Sequence, residues 1–275
     1  MSSIPIGFSS DMVGKLHIIG DVHGMLDPLQ KLVKMLDIGP SDRLVFVGDL
    51  IDKGPDSFGV VKYVEELRCR GSFEVILVDG NHEDRMRRYL RNLKLRPRVA
   101  TEQAARAPEL ERLRKQLASE GMEFLDWSVP FYRCKTHDVL VVHGGIPGTL
   151  QDFPVSVEEV SALTGREAKR FEKIYRTRFV NAKSGEFLAL GDQGPADPFW
   201  AEVYDGRFGH VVFGHQPFLS RPAKFTYATG IDTGAVHGGG LTALTLEQGT
   251  PPTSISVGSE RFTPYVLDPV PHPSN

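Results

Sequence analysis

Five short glycine-bearing segments of this 275-residue chain set carboxylates, imidazoles and an amide side by side. They are Gly20-Asp21-Val22-His23-Gly24, Gly48-Asp49-Leu50-Ile51-Asp52-Lys53-Gly54, Gly80-Asn81-His82-Glu83, His143-Gly144-Gly145 and Gly214-His215-Gln216. Imidazole, carboxylate and amide oxygen together suit borderline divalent ions such as Mn²⁺, Fe²⁺ or Zn²⁺. The set contains no thiolate, so a structural zinc knot is not expected. Asp21, His23, Asp49, Asn81, His143 and His215 are too many ligands for one open catalytic ion. They suit two ions about 3.5–4 Å apart, which need one bridging carboxylate. Asp49, central in the series, is the expected bridge. Any one of these motifs alone reads as a turn, because Asp and His are common there for local hydrogen bonding. Their repetition, each time directly after a short apolar run, is what points to a shared site.

Those runs are the elements that must position the chemistry. They cover residues 16–19, 44–47, 73–78, 139–142 and 211–213, and each stops at a polar cluster, as strands buried on both faces do. Between the first two, Leu26, Leu29, Leu32, Val33 and Leu36 repeat at helical spacing; between the next two, Phe58, Val61, Val64 and Leu67 do the same. Strand–helix–strand–helix–strand reads as two crossover units of an α/β sheet. Ligands of such sheets sit outside the carboxyl ends of the strands, so five strand ends should deliver the six residues to one crevice. Residues 84–126 are rich in Arg, Lys and Glu and in helix formers such as Leu110, Leu113 and Leu117, and are expected to form a helical insertion. A second helical stretch is expected over 157–176, short strands over 225–229 and 241–246, and a Pro-rich irregular tail over 249–275. One domain spanning 1–275 is expected.

Composition narrows the function classes. Lys+Arg 32 against Asp+Glu 35 leaves net −3, which argues against broad nucleic-acid binding. Hydrophobic content of 40% and charged content of 24% are those of a globular chain. Cys69 and Cys134 imply no disulfide framework. Residues 1–15 carry no basic start and no long apolar run, and no run approaches the ~20 residues of a membrane helix. No signal peptide, no membrane association and a cytoplasmic setting are the expectations; oligomeric state is left open.

At these residues the chain resembles the calcineurin-like metallophosphoesterases, and within them the phosphoprotein phosphatases, whose pattern is GDxHG, GDxxDRG, GNHE, HGG and a late GH. The resemblance spans about residues 15–247. The later segment, with Trp200 to Gly206, Ile231-Asp232-Thr233-Gly234-Ala235-Val236 and Leu241-Thr242-Ala243-Leu244, looks like a bacterial branch. That branch includes PrpE-type dinucleoside tetraphosphatases, the phosphatase domain of bacterial polynucleotide kinase-phosphatases and small bacterial Ser/Thr phosphatases. The resemblance implies a four-layer α/β/β/α sandwich. It implies that Asp21, His23 and Asp49 hold one metal, and that Asp49, Asn81, His143 and His215 hold the other. Manganese is favoured, with iron or zinc as alternatives. It implies hydrolysis by an activated water without a phosphoenzyme, with His82 as proton donor oriented by Asp52. Where the family pattern has a phosphate-gripping Arg, this chain has Lys53, a point charge without the bidentate fork.

The remaining candidates are weaker. Arg176 and Arg178 could contact a second phosphate or simply end a solvated helix. Arg85, Arg87 and Arg88 could steer anions but read better as a solvated helix face, and His237 lies in a Gly-rich turn outside a ligand set already complete. His17, His137, His210 and His272 read as structural or exposed, the two cysteines as buried small residues, and Trp127 and Phe131 as packing for the insertion. The expected activity is hydrolysis of a dinucleoside tetraphosphate such as diadenosine tetraphosphate. The alternatives are a Ser/Thr phosphoprotein phosphatase and, behind it, an RNA-end or polyphosphate phosphatase. A degenerate non-catalytic scaffold is disfavoured because every ligand position and the His82/Asp52 pair are filled.

Overall fold

The computed structural model describes residues 14–264, 270 and 273. The first sheet is built on β1 (Leu16–Ile19), β2 (Arg43–Phe46) and β3 (Glu74–Leu77), which run parallel, Ile19 opposite Phe46 and Phe46 opposite Leu77. The three strands therefore end flush, and the segments that follow them emerge along one edge. Helices α1 (Leu26–Leu36) and α2 (Ser57–Arg70) make the crossovers. Further along the chain, β4 (Tyr132–Cys134), β5 (Val139–Val141), β6 (His210–Phe213), β7 (Ala223–Lys224) and β8 (Ala228–Gly230) form a second sheet in the order β4-β5-β6-β8-β7. Its β5, β6 and β8 are parallel, and β4 and β7 are antiparallel at the edges. Finally β9 (Gly240–Leu246) and β10 (Thr253–Gly258) return to the first sheet, which reads β10-β9-β1-β2-β3.

Three apolar cores separate four layers, as expected for the α/β/β/α sandwich. Alternation along the strands divides the side chains among them. Ile19, Leu44, Phe46 and Leu77 pack outward against Leu29 and Leu32 of α1 and Val60, Val61 and Val64 of α2. Ile18, Val45 and Val47 point the other way and meet Val139, Val141 and Val212 of the second sheet. Leu140, Val142, Val211 and Phe213 face the far side, against Phe171 and Trp200. Strands buried on both faces explain why the sequence shows continuous apolar runs instead of alternation.

Several elements differ from expectation. The insertion is helical, as α3 (Asn81–Leu95), α4 (Pro97–Arg106) and α5 (Pro108–Ser119), but it begins at Asn81, so the Asn81-His82-Glu83 segment is the first turn of a helix. Pro97 and Pro108, each at a helix start, divide it into three pieces. The stretch at 157–176 is likewise broken, into α6 (Val157–Ala162), α7 (Gly165–Phe171) and a 3-10 turn, with a left-handed Gly165 as the first residue of α7. Part of the tail is ordered: β10 pairs antiparallel with β9 over Thr253–Gly258. Cys69 is exposed and Cys134 buried. Trp127 packs on the first core, its indole Nε1–H donating to Glu65 at 3.1 Å, whereas Phe131 belongs to the core beyond the second sheet. The readings for residues 1–13 and His272 lie outside the described residues. Among those described, no helix is long and apolar enough to cross a membrane.

Candidate active site

The loops after β1, β2, β3, β5 and β6 meet at one edge shared by both sheets. Their backbone is bent to do so. His23, Asp49, Asp52, Lys53 and His215 all have left-handed φ, between 47° and 69°, a conformation that costs non-glycine residues of order 1–3 kcal/mol each and persists where surrounding structure enforces it. The enforcing contacts are local: Val22 and His23 both donate their N–H to the Asp49 carbonyl, at 3.2 and 2.8 Å. Two glycines allow close approach. A Cβ on Gly214 would overlap the Asp21 carboxylate, and one on Gly80 would overlap the Asp49 carboxylate and backbone.

The side chains converge on Asp49. Its Oδ2 lies 3.2 Å from His143 Nε2, 3.5 Å from His23 Nε2 and 3.9 Å from His82 Nε2. Asn81 Oδ1 is 3.1 Å from His143 Nε2, and Asp21 Oδ2 is 3.9 Å from His23 Nε2. Both Asp21 oxygens accept from the His215 N–H at 3.1 Å. Two groups with metal-ligand spacing share Asp49: His23–Asp49–His82 and Asp49–His143–His215. All six expected ligands are thus brought together, across two sheets.

The donor set fits divalent cations. His143 Nδ1 is 2.9 Å from the Val47 carbonyl and His23 Nδ1 is 3.0 Å from that of Ile51. A carbonyl only accepts, so in each ring Nδ1 carries the proton and, in the neutral ring, Nε2 turns a lone pair into the cluster. His143 Nε2 faces two oxygens, Asp49 Oδ2 and Asn81 Oδ1, a set of donor atoms that a shared cation would satisfy. The buried Nε2 of His215 has no hydrogen-bond partner. Burial, aided by Arg178, holds His215 well below its ordinary value, and burial together with Lys53 does the same for His23. Burial, with Asp232 and Asp49 nearby, pushes Asp21 well above the carboxylate range, and burial also raises Asp232. At Asp49 burial acts in the same sense, but the His143, His82 and His23 rings outweigh it and hold the carboxyl low. Excess buried negative charge of this kind is what cations relieve.

Around the cluster stand the other expected residues. His82 Nδ1 is 2.7 Å from Asp52 Oδ2, which also accepts from Arg85 Nη1 at 3.0 Å. Lys53 is exposed, and its Nζ reaches 2.9 Å from His23 Nε2, donating to the lone pair a metal would take. Arg176 pairs with Asp84, and Arg178 donates to the His215 carbonyl at 2.6 Å. Arg178 therefore braces a cluster loop, and Arg176 ties the second half of the chain to α3.

Three features were missed in the sequence. Arg85 and Arg87 are not a solvated face: Arg85 joins Asp52 to Glu109, and Arg87 binds Asp79, Ser128 and the Leu125 carbonyl. Asp232, two residues past β8, is a further buried carboxylate beside Asp21, and its signal was present as one more short strand, expected over 225–229, followed closely by Asp232-Thr233-Gly234. Glu83 is fully buried and accepts from the N–H groups of Asp49, Leu50 and Gly80 at 2.7, 3.0 and 2.9 Å. Burial and the Asp49 charge nevertheless push its carboxyl up to about 8. Glu83→Gln leaves one acceptor oxygen where two served three donors. It is expected to cost about 1–3 kcal/mol of unfolding free energy, read as a lowered denaturant midpoint at unchanged slope.

Two sheets with helices, carrying at their common edge a cluster of His and Asp groups that could hold metal, place the chain among the metallophosphoesterases. The chain belongs to the calcineurin-like phosphoesterases, whose family model matches residues 14–224. It is a hydrolase acting on phosphoesters. Among its relatives is the asymmetrical bis(5'-nucleosyl)-tetraphosphatase PrpE of Bacillus subtilis, 31% identical over 261 residues, covering 90% of this chain and 98% of the relative. The protein of the same description from Oceanobacillus iheyensis is 29% identical over 83% of this chain and 87% of its own length. A crystal structure described as a candidate diadenosine tetraphosphatase superimposes with a TM-score of 0.62 at 26% identity, covering 90% of this chain and 95% of that one. A Saccharomyces cerevisiae protein Ser/Thr phosphatase with similarity to human PP5 gives 0.61 at 16% identity, covering 95% and 83%, which is a likeness of fold.

Proposed function

We propose that the chain hydrolyses dinucleoside tetraphosphates asymmetrically, releasing a nucleoside triphosphate and a nucleoside monophosphate. The observation that carries the hydrolytic centre is the convergence of His143 Nε2, His23 Nε2 and Asn81 on the Asp49 carboxylate. Relatives matched along nearly their whole length support the substrate class. In this reading Asp21, His23 and Asp49 hold one divalent cation, and Asp49, Asn81, His143 and His215 hold the other. Manganese is the proposed pair, with iron or zinc as alternatives, and a reducing cytoplasm is the proposed setting. Bound there, two such cations supply charge to the phosphoryl oxygens and make water a nucleophile near neutral pH.

The chain's own residues supply the rest. Asp52 accepts a hydrogen bond from His82 Nδ1–H at 2.7 Å and so fixes the ring, leaving Nε2 at the cluster edge, where a proton it carries can pass to a departing phosphate oxygen. Arg85 holds the other side of Asp52. Lys53, whose Nζ would give up its 2.9 Å contact with His23 Nε2 if that nitrogen held a cation, would offset charge on the phosphate chain. The test is a side-by-side assay of manganese-loaded protein on diadenosine tetraphosphate, a phosphothreonine peptide and an RNA 3′-phosphate, with products resolved by chromatography. ATP plus AMP from the first, at the highest kcat/KM of the three, is expected. ADP alone, or a preference for the phosphopeptide, overturns the proposal, and the second result makes the chain a protein phosphatase.

A further inference from the structure

We infer that a cleft of about 400 Å³ between α1, the loop carrying Lys53 and the strap that follows β10 binds a nucleoside of the substrate, with Phe262 stacking on its base. This rests on the dinucleoside tetraphosphate reading above. The cleft is linked to the metal group through the chain itself. Met25 in its wall is two residues past His23, and Pro55 two past Lys53.

The strap is fixed to the site at several points. Ser259 N–H donates to the Gly239 carbonyl at 3.1 Å, the Phe262 and Thr263 N–H groups both donate to Val236 at 2.9 Å, and Thr263 Oγ1 donates to the Lys53 carbonyl at 3.2 Å. Arg261 Nε donates to the His237 carbonyl at 3.3 Å, and the His237 ring returns a bond to Thr263. This backbone presents Phe262 with 55% of its surface exposed. A lone exposed Phe on a convex surface would mean nothing. Here the ring lines a concavity whose volume is within the roughly 300–1,000 Å³ of small-molecule sites.

The polar lining selects which part of the substrate enters. The lining carries three carboxylates, Asp27, Asp56 and Glu260, the Asp56 one also capping α2 through the Gly59 N–H, and one ammonium, Lys31. Net negative charge repels a phosphate chain, while carboxylates accept from ribose hydroxyls and an exocyclic amine. The phosphates then lie over the metal group and Lys53, and the uncharged end reaches the cleft.

Base–aromatic stacking is worth enough by alanine substitution to change affinity roughly 5- to 150-fold. The experiment measures kcat/KM of the manganese-loaded enzyme on diadenosine tetraphosphate and on p-nitrophenyl phosphate, for wild type, Phe262→Ala and Phe262→Trp. The ratio of the two values is expected to fall 5- to 150-fold in Phe262→Ala through KM for the dinucleotide, and to recover in Phe262→Trp. Adenosine should inhibit wild type competitively, and Phe262→Ala more weakly. An unchanged ratio in Phe262→Ala, with diadenosine tetraphosphate still cleaved, overturns the subsite alone. Wild type that cleaves p-nitrophenyl phosphate but not the dinucleotide overturns the subsite together with the reading it rests on.

Discussion

Turnover of the His82→Ala variant is expected to fall by roughly 10²- to 10⁴-fold, the usual range for a lost general acid, while two metal ions still bind. His82 lies within metal-ligand reach of Asp49 and His23, so ligand and acid are competing roles for it. Two observations favour the acid. Its side chain is 12% exposed against 4% for His23 and 0% for His143, which places it at the substrate side of the cluster. Its Nδ1 is held at 2.7 Å by a carboxylate, which orients the ring with Nε2 toward the cluster edge, whereas His23 and His143 are paired with neutral carbonyls. The loss should be larger with an alcohol or nucleotide leaving group than with p-nitrophenolate, which departs without a proton. Metal content measured by elemental analysis, beside a leaving-group series, checks both parts. A variant that loses one ion per chain would make His82 a ligand, and near-normal turnover on poor leaving groups would remove it from the reaction.

The second large effect is expected at Asp49. Asp49→Asn keeps the shape and the Oδ1 that accepts the His82 N–H at 3.0 Å, so the start of α3 stays in place. It removes the charge that three imidazoles surround. With the shared carboxylate gone from both groups, metal content should drop from two ions to one or fewer. Activity should fall by at least about 10³-fold, the loss of several kcal/mol of charge stabilisation. Calorimetric titration with manganese and a thermal melt with and without the metal provide the check. Wild-type binding of two ions by this variant would refute the bridging role.

Much of this arrangement could be read from residue order, for a physical reason. Strands buried on both faces must be apolar throughout, so each polar residue that ends one is conspicuous; that is how Asp21, Asp49, Asn81, His143 and His215 stood out. Helix α1 declared itself through Leu29, Leu32 and Leu36, which pack on a flat sheet and need helical spacing. What stayed hidden depends on partners distant in sequence. Arg87 looks like a solvated residue until Asp79 and Ser128 are brought to it, and Arg85 until Asp52 is. Strand β10 is weakly patterned, because only Ile255 and Val257 of its six residues pack on the core; its pairing with β9 decides its conformation. Cys69 shows the opposite failure, a residue type usually buried that falls on the outward side of α2.

The left-handed backbone at His23, Asp49, Asp52, Lys53 and His215 has a consequence for anyone selecting heat-resistant forms of this enzyme. Substituting glycine at those turns would relieve backbone strain of order 1–3 kcal/mol, more than the roughly 0.4–1 kcal/mol that glycine costs through the unfolded chain, yet each such change deletes a side chain from the cluster. Robustness gained there would come out of hydrolytic power, so gains in melting temperature are better sought on α4 and α5, away from the turns that shape the crevice.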